Sequence, residues 1–173
     1  DNYADQLVSK AKELKLAEQK QWLNLLHFRR NIIGLHRSQV AGDIFFLSDR
    51  GDKDPEAEME ATIRGFLLED PSDGRDQTPQ CQFPARYRWL KGHLQFDREK
   101  LKEQTCERFE KFFTGVSAKS VSIVFSSYYL NNPSSMFGHT LMRLNKQDYN
   151  YTGERYELLD YGINFAAEAN ISN

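Results

Sequence analysis

Residues 120–127 read SVSIVFSS, and this stretch decides the fold class of the 173-residue chain. It is rich in the β-branched and aromatic residues that favour strands. The run HTLMRLN at residues 139–145 alternates between apolar and polar residues, and RYELLDYGINF at 155–165 is aromatic and apolar. Alternation with a period of two is typical of a strand with one buried face. We therefore expect strands at 121–125, 140–144 and 156–159 in one small, mainly antiparallel sheet.

The chain before residue 116 has the spacing of helices instead. Residues 1–30 repeat apolar side chains at helical intervals, so they are expected to be helical, and a loop at 32–42 follows. The tripeptide Asp54-Pro55-Glu56 combines an N-cap carboxylate, a proline at the first helical position and an acid in the first turn. These are helix-start signals, and they predict a helix that reaches about residue 68.

Two further helices are expected before the strands. One is rich in aromatic residues and is entered through Pro84; the other is a charged helix at 97–114 that ends at Gly115, with Phe109 and Phe113 facing inward. Helices followed by strands indicate an α+β fold. We expect a helical N-terminal extension at 1–115 and the start of an α/β domain at 116–173. Two or three strands alone are marginally stable, so we expect either that this domain is a fragment with an incomplete sheet or that the N-terminal segment completes the sheet.

Composition excludes several classes of function. The chain has 23 Lys and Arg against 25 Asp and Glu, for a net charge of −2, with no clustered basic face of the kind that binds nucleic acid. No apolar run approaches the ~20 residues that span a bilayer. The first ten residues, DNYADQLVSK, are polar and do not form a signal peptide. Cysteine and histidine spacings match no zinc motif, so neither a metal nor another cofactor is expected.

One histidine stands apart from the other three. The stretch NNPSSMFGHTLMRL at 131–144 places His139 at the first position of a strand, directly after a polar loop. An imidazole at a strand edge can act as a general base near neutral pH, or it can simply cap the strand by a hydrogen bond. His27 and His93 lie in helix-like runs and His36 in a loop, where packing or surface roles are more common.

The two cysteines, Cys81 and Cys106, leave three alternatives open. They can form one disulfide in an oxidising compartment, remain as two buried thiols, or comprise a reactive thiol and a bystander. Composition alone does not choose among these.

Two parts of the sequence resemble a known bacterial family. The stretch SSYYLNNPSSMFGHTLMRL at 126–144, followed by LLDYGINFAAE at 158–168, resembles the periplasmic domain of the Lnb type of lipoprotein N-acyltransferase. The stretches WLNLLHF at 22–28, FFLSDRGDKDPEAEMEATI at 45–63 and CQFPARYRWL at 81–90 resemble the N-terminal extension that precedes this domain in many proteobacterial members.

The resemblance implies a periplasmic envelope protein with a papain-like fold of the NlpC kind. His139 matches the family histidine. Ser127 stands about twelve residues earlier, where short family members have a cysteine, so the nucleophile is expected to be either Ser127 or Cys81 at a helix start. Asp160 is the candidate to orient the imidazole, and a plain surface carboxylate is the alternative. An oxidising compartment favours a Cys81–Cys106 disulfide, which leaves Ser127 as the preferred nucleophile.

The resemblance also implies a function. We expect acyl transfer or hydrolysis with a phospholipid donor and a lipoprotein amine as acceptor, and any membrane association through parts outside these residues. The alternative is a non-catalytic envelope module that binds a partner or supports a downstream domain.

Overall fold

The structure is a computed structural model, and it describes residues 2–30, 36–40, 43–71, 74–126, 139–146 and 161–163. The chain divides into two compact units, Asp1–Phe109 and Glu110–Asn173. The helices are α1 (Tyr3–Glu13), α2 (Lys20–Leu25), α3 (Pro55–Gly65), α4 (Pro79–Gln82), α5 (Pro84–Leu94) and α6 (Glu107–Val116), with short 3-10 helices at Leu16–Glu18 and Asp43–Phe45. The strands are β1 (Phe28–Arg30), β2 (His36–Ser38), β3 (Ser120–Ser126), β4 (His139–Asn145) and β5 (Tyr161–Ile163). The α+β prediction is confirmed.

The core of the first unit lies among α1, α2, α3 and α5. Trp22, Ile63, Phe66 and Leu90 are almost fully buried there, at the helical spacing that the sequence shows. The indole of Trp22 satisfies its one polar group by donating from Nε1 to the carbonyl of Pro55 at 2.9 Å. This hydrogen bond links α2 to the start of α3. It also satisfies the indole N–H, which needs a partner when the ring is buried.

The predicted start of α3 is confirmed. The Asp54 carboxylate accepts hydrogen bonds from the backbone amides of Glu56 and Ala57 at 3.2 and 2.9 Å, and Pro55 occupies the first helical position. These contacts satisfy amides that have no partner within the helix. The helix ends at Gly65, slightly before the predicted end.

Removing this cap should have a measurable cost. We expect Asp54→Ala to lower the free energy of unfolding by about 1 kcal/mol, because two amide donors lose their acceptor. Urea denaturation followed by tryptophan fluorescence measures this, since Trp22 and Trp89, the two tryptophans of the chain, both lie in the first unit. Asp54→Asn keeps an accepting oxygen and is the matched control; an equal loss in both variants would contradict the capping role.

Three secondary-structure predictions in the first unit are wrong. Residues 1–30 do not form one helix, because Lys15 adopts a positive φ of 49° that ends the first helical segment, and the chain becomes β1 at Phe28. His36 lies in β2, which pairs antiparallel with β1. The helix predicted at 97–114 begins only at Glu107.

Side-chain hydrogen bonds explain why residues 97–106 are not helical. The Asp97 carboxylate accepts from the amide of Glu99, and the side chain of Gln80 donates to the carbonyl of Lys102 while accepting from the amide of Gln104. These bonds satisfy backbone groups that a helix would otherwise pair. The inward orientation predicted for Phe109 and Phe113 is also wrong, since both are exposed, Phe113 by 63%.

The second unit contains α6 from residue 110 onward and the sheet β3-β4-β5. Both pairings are antiparallel, with Ser126 opposite His139 and Leu144 opposite Tyr161. The strands predicted at 121–125 and 140–144 are confirmed. The strand predicted at 156–159 lies outside the described residues. None of the helices in the described ranges is long and apolar enough to cross a membrane.

The two faces of this sheet differ in polarity. Ile123 and Phe125 are 79% and 66% exposed on one face, which they share with Val121 and Met142. The opposite face carries the alternate residues of both strands; there Asn145 is buried, and Ser122, Val124, Leu141 and Arg143 are half-buried. It comprises Ser120, Ser122, Val124, Ser126, His139, Leu141, Arg143 and Asn145. We call this set the polar face, because most of its side chains can form hydrogen bonds.

Candidate functional site

The register of β3 and β4 fixes the position of His139 on the polar face. His139 is the first residue of β4 and lies opposite Ser126, the last residue of β3. Ser127 and Asp160 lie outside the described residues, so their predicted roles stay predictions.

A hydrogen-bonded network lies further along the polar face. Asn145 is only 2% exposed, and its Nδ2 donates to the hydroxyls of Ser120 and Ser122, each at 2.9 Å. Its Oδ1 accepts from Nε of Arg143 at 3.0 Å. This network was not predicted from the sequence. The available signal was the pair of serines at alternate positions of β3, but their partners became apparent only once the strand register was known.

The predicted disulfide is confirmed. Cys81, in α4, is bonded to Cys106, which immediately precedes α6, and their Cα atoms are 5.0 Å apart. A disulfide sulfur carries no thiolate, and the thiolate is the nucleophilic form of cysteine. In this oxidised state Cys81 is therefore a structural residue of the first unit.

A buried ion pair in the first unit was also missed by sequence reasoning. Glu58 is fully buried, and its carboxylate accepts from Nη1 of Arg86 at 2.6 Å and from the amides of Leu47 and Ser48 at 2.9–3.0 Å. Burial raises the pKa of the Glu58 carboxyl, and desolvation outweighs the opposing effect of these hydrogen bonds and of the Arg86 charge. A Cβ at Gly51 would collide with the same carboxylate, so the chain needs glycine there.

Arg86 is equally enclosed. Its Nη2 donates to the carbonyl of Phe45 at 2.8 Å, and its guanidinium lies 4.0 Å from the ring centroid of Phe83 and 4.7 Å from that of Phe45. The hydrogen-bond partners of Glu58 and Arg86 come from the protein that encloses them. Because several of these partners are backbone groups of residues 45–48, the ion pair holds this segment against α3 and α5. We assign this pair a structural role.

An open cleft of about 1140 Å³ lies in the first unit between β2 and residues 74–76. Its walls combine apolar side chains with charges of both signs; they include Arg37, Asp52, Arg75, Asp76, Phe46 and Leu47. Arg37 and Asp52 neutralise each other through an ion pair of 2.9 Å. This mixture does not favour one class of ligand. Among the residues that the structure describes, no cluster of three or more His, Cys, Asp and Glu could hold a metal ion.

Comparisons with known proteins divide the chain in two. Residues 14–93 match a domain of unknown function (DUF7843). Residues 108–173 match the Lnb N-terminal periplasmic domain. No curated protein and no solved structure matches the chain.

Proposed function

We propose that the region at residues 108–173, which matches the Lnb N-terminal periplasmic domain, performs nucleophilic acyl transfer or hydrolysis with His139 as general base. The observation that supports the proposal is the register of β3 and β4. It places His139 opposite Ser126, and Ser127 is the next residue in the sequence. The candidate nucleophile, Ser127, therefore directly follows the strand residue that pairs with His139.

The chemistry proposed for these residues is a two-step transfer in a papain-like arrangement. His139 takes the proton from the Ser127 hydroxyl as its oxygen attacks an ester carbonyl of a phospholipid, and the imidazolium returns the proton to the departing alcohol of the lysophospholipid. The amine of a lipoprotein, or water, then attacks the acyl-serine and releases Ser127. Asp160 orients the imidazole. Backbone amides of residues 131–138 stabilise the oxyanion.

A second candidate function is a non-catalytic envelope module. The exposed apolar residues of the sheet, such as Ile123 and Phe125, support it, because large exposed apolar patches on soluble proteins commonly mark interaction sites. The two candidates differ in whether any side chain is activated as a nucleophile.

Covalent labelling tests this difference. Treating the full chain with a long-chain alkyl fluorophosphonate should label Ser127, because a base-activated serine attacks phosphorus, and His139→Ala should abolish the label. Mass spectrometry of the peptide that contains Ser127 measures both results. Ser9→Ala, which changes an exposed serine of α1 outside the proposed site, is the control and should be labelled normally. A folded wild-type protein that takes up no label at Ser127 would reject the enzyme and favour the module.

A further inference from the structure

We propose that Asn145, together with Ser120 and Ser122, sets the register of β3 against β4 and thereby positions His139 relative to Ser127. We call Asn145, Ser120 and Ser122 the amide clamp. Asn145 is a positioning residue in this proposal, because it acts on His139 only through the strand to which both belong. The role in catalysis rests on the proposed function, whereas the role in setting the register does not.

Two common determinants of register leave the pairing of β3 with β4 undecided. A shift by one residue would move every side chain to the other face, but a shift by two residues keeps both faces and the pattern of hydrogen-bonded pairs. A short hairpin loop also fixes the register, and such loops have about two to five residues. Here residues 127–138 connect the two strands. A connection of this length accommodates a shift by two residues at little entropic cost.

The apolar face does not select the observed register either. Ile123 lies opposite Met142 in the observed pairing. If β3 moved by two residues relative to β4, Ile123 would lie opposite Leu144, and we call this arrangement the shifted register. Phe125 would then lie opposite Met142. Both arrangements therefore place large apolar side chains opposite each other, and a further interaction has to distinguish them.

The amide clamp distinguishes the two registers. Asn145 is 2% exposed, and its Nδ2 donates both of its hydrogens, one to Ser120 directly opposite and one to Ser122 two residues further along β3. In the shifted register these two positions would be occupied by Ser122 and Val124. One N–H of a buried amide would then have no acceptor, which is unfavourable inside a protein. The clamp therefore favours the observed register.

The register decides whether His139 can act on Ser127. In the observed pairing His139 lies opposite Ser126, the residue before Ser127. A shift by two residues would displace β3 along β4 by about 7 Å. A general base has to lie within hydrogen-bonding distance of the group whose proton it removes, about 2.6–3.2 Å between heavy atoms. A domain in the shifted register would therefore lack the proposed activity although its sheet is intact.

The test moves the hydroxyl groups along β3. Ser120→Val leaves one hydroxyl for Asn145 in either register, so we expect the two registers in comparable amounts. Ser120→Val combined with Val124→Ser, the combined variant, offers two hydroxyls in the shifted register and one in the observed register. The shifted register should then predominate by about tenfold, which is the effect of one hydrogen bond at a buried site.

Two measurements are made on the full chain. NMR gives the ratio of the registers, because NOEs between backbone protons join Ile123 to Met142 in the observed register and to Leu144 in the shifted one. The rate of fluorophosphonate labelling at Ser127 should follow the fraction of the observed register. We expect this rate to fall to about half in Ser120→Val and by about tenfold in the combined variant.

Ser120→Thr is the matched control. Threonine has nearly the shape of valine but keeps the hydroxyl, so Ser120→Thr should retain the observed register and the wild-type rate of labelling. Circular dichroism checks that each variant is folded. If the combined variant does not fold, Val124→Ser takes its place. This single change offers Asn145 two hydroxyls in either register, so the two registers should again be present in comparable amounts.

The results separate this inference from the proposed function. NOEs of the observed register alone in Ser120→Val and in the combined variant or its replacement would overturn the clamp, as would equal mixtures in Ser120→Val and Ser120→Thr. A shifted register with unchanged labelling of Ser127 would overturn the positioning role. A register that follows the hydroxyls, together with a wild-type Ser127 that takes up no label, would uphold the clamp and reject the acyl-transfer chemistry.

Discussion

Arg86→Met is expected to lower the free energy of unfolding of the first unit by about 3–5 kcal/mol, because it leaves the buried Glu58 carboxylate without its counter-charge. The loss should be large because Glu58 is fully enclosed and water cannot replace the guanidinium. Arg86 also contacts the rings of Phe45 and Phe83, and methionine keeps part of that apolar packing. Urea denaturation monitored by the fluorescence of Trp22 and Trp89 reports directly on this unit.

Arg64→Met is the matched control. Arg64 also forms ion pairs, with Asp5 at 2.9 Å and Glu60 at 3.0 Å, but all three side chains are substantially exposed. Water solvates the carboxylates that remain, so the loss should be much smaller than for Arg86→Met. Similar losses in the two variants would show that burial of the pair does not determine its contribution.

The pH dependence gives a second check on the same substitution. Burial already raises the pKa of Glu58, and removal of Arg86 should raise that pKa further. A group whose pKa is higher in the folded than in the unfolded state binds a proton on folding, so stability falls as the pH rises from the unfolded pKa through the folded one. The difference in the free energy of unfolding between Arg86→Met and the wild type should therefore become smaller as the pH is lowered from about 8 to about 5.

Replacing both cysteines with serine is expected to lower the free energy of unfolding by about 3 kcal/mol, because Cys81–Cys106 closes a loop with a sequence separation of 25 residues. In the chain-entropy account, the bridge restricts the unfolded chain more than the folded one. For the wild type, the free energy of unfolding measured with a reductant should be lower by a comparable amount than that measured without it. The reductant should have no effect on the double variant, and a further loss there would show that it acts elsewhere.

The double variant should still fold in the absence of denaturant. The side chain of Gln80 bonds to the carbonyls of Phe66 and Lys102 and to the amide of Gln104, so it holds the same segments together without the bridge. A chain that is unfolded in buffer after the double substitution would show that these bonds cannot act alone.

Local signals in the sequence predicted the elements that depend on local physics. Asp54 and Pro55 define the start of α3, and Pro84 opens α5 as expected, because capping and proline geometry act within a few residues. The strands near 121–125 and 140–144 follow from residue type and alternation in the same way. The disulfide was predicted from the compartment that the family resemblance implied, with no knowledge of the distance between the cysteines.

Features that depend on distant partners could not be read from the sequence. Glu58 looks like an ordinary acid in the first turn of a helix, and only the fold brings Arg86 to its carboxylate. Residues 97–106 have helical composition, but Gln80, from another segment, bonds to the carbonyl of Lys102 and the amide of Gln104. At the candidate site the sequence predicted His139, whereas the link from Arg143 through Asn145 to β3 required the strand register.

The position of the disulfide has a consequence for export. Both cysteines lie in the first unit, so the disulfide involves no residue of the three-stranded sheet β3-β4-β5. A chain translocated into the periplasm amino end first delivers Cys106 before any of the strands β3, β4 and β5 has crossed. Oxidation of the helical unit can therefore be completed while the sheet is still being translocated. The strands would then fold on a chain whose preceding unit is already covalently closed.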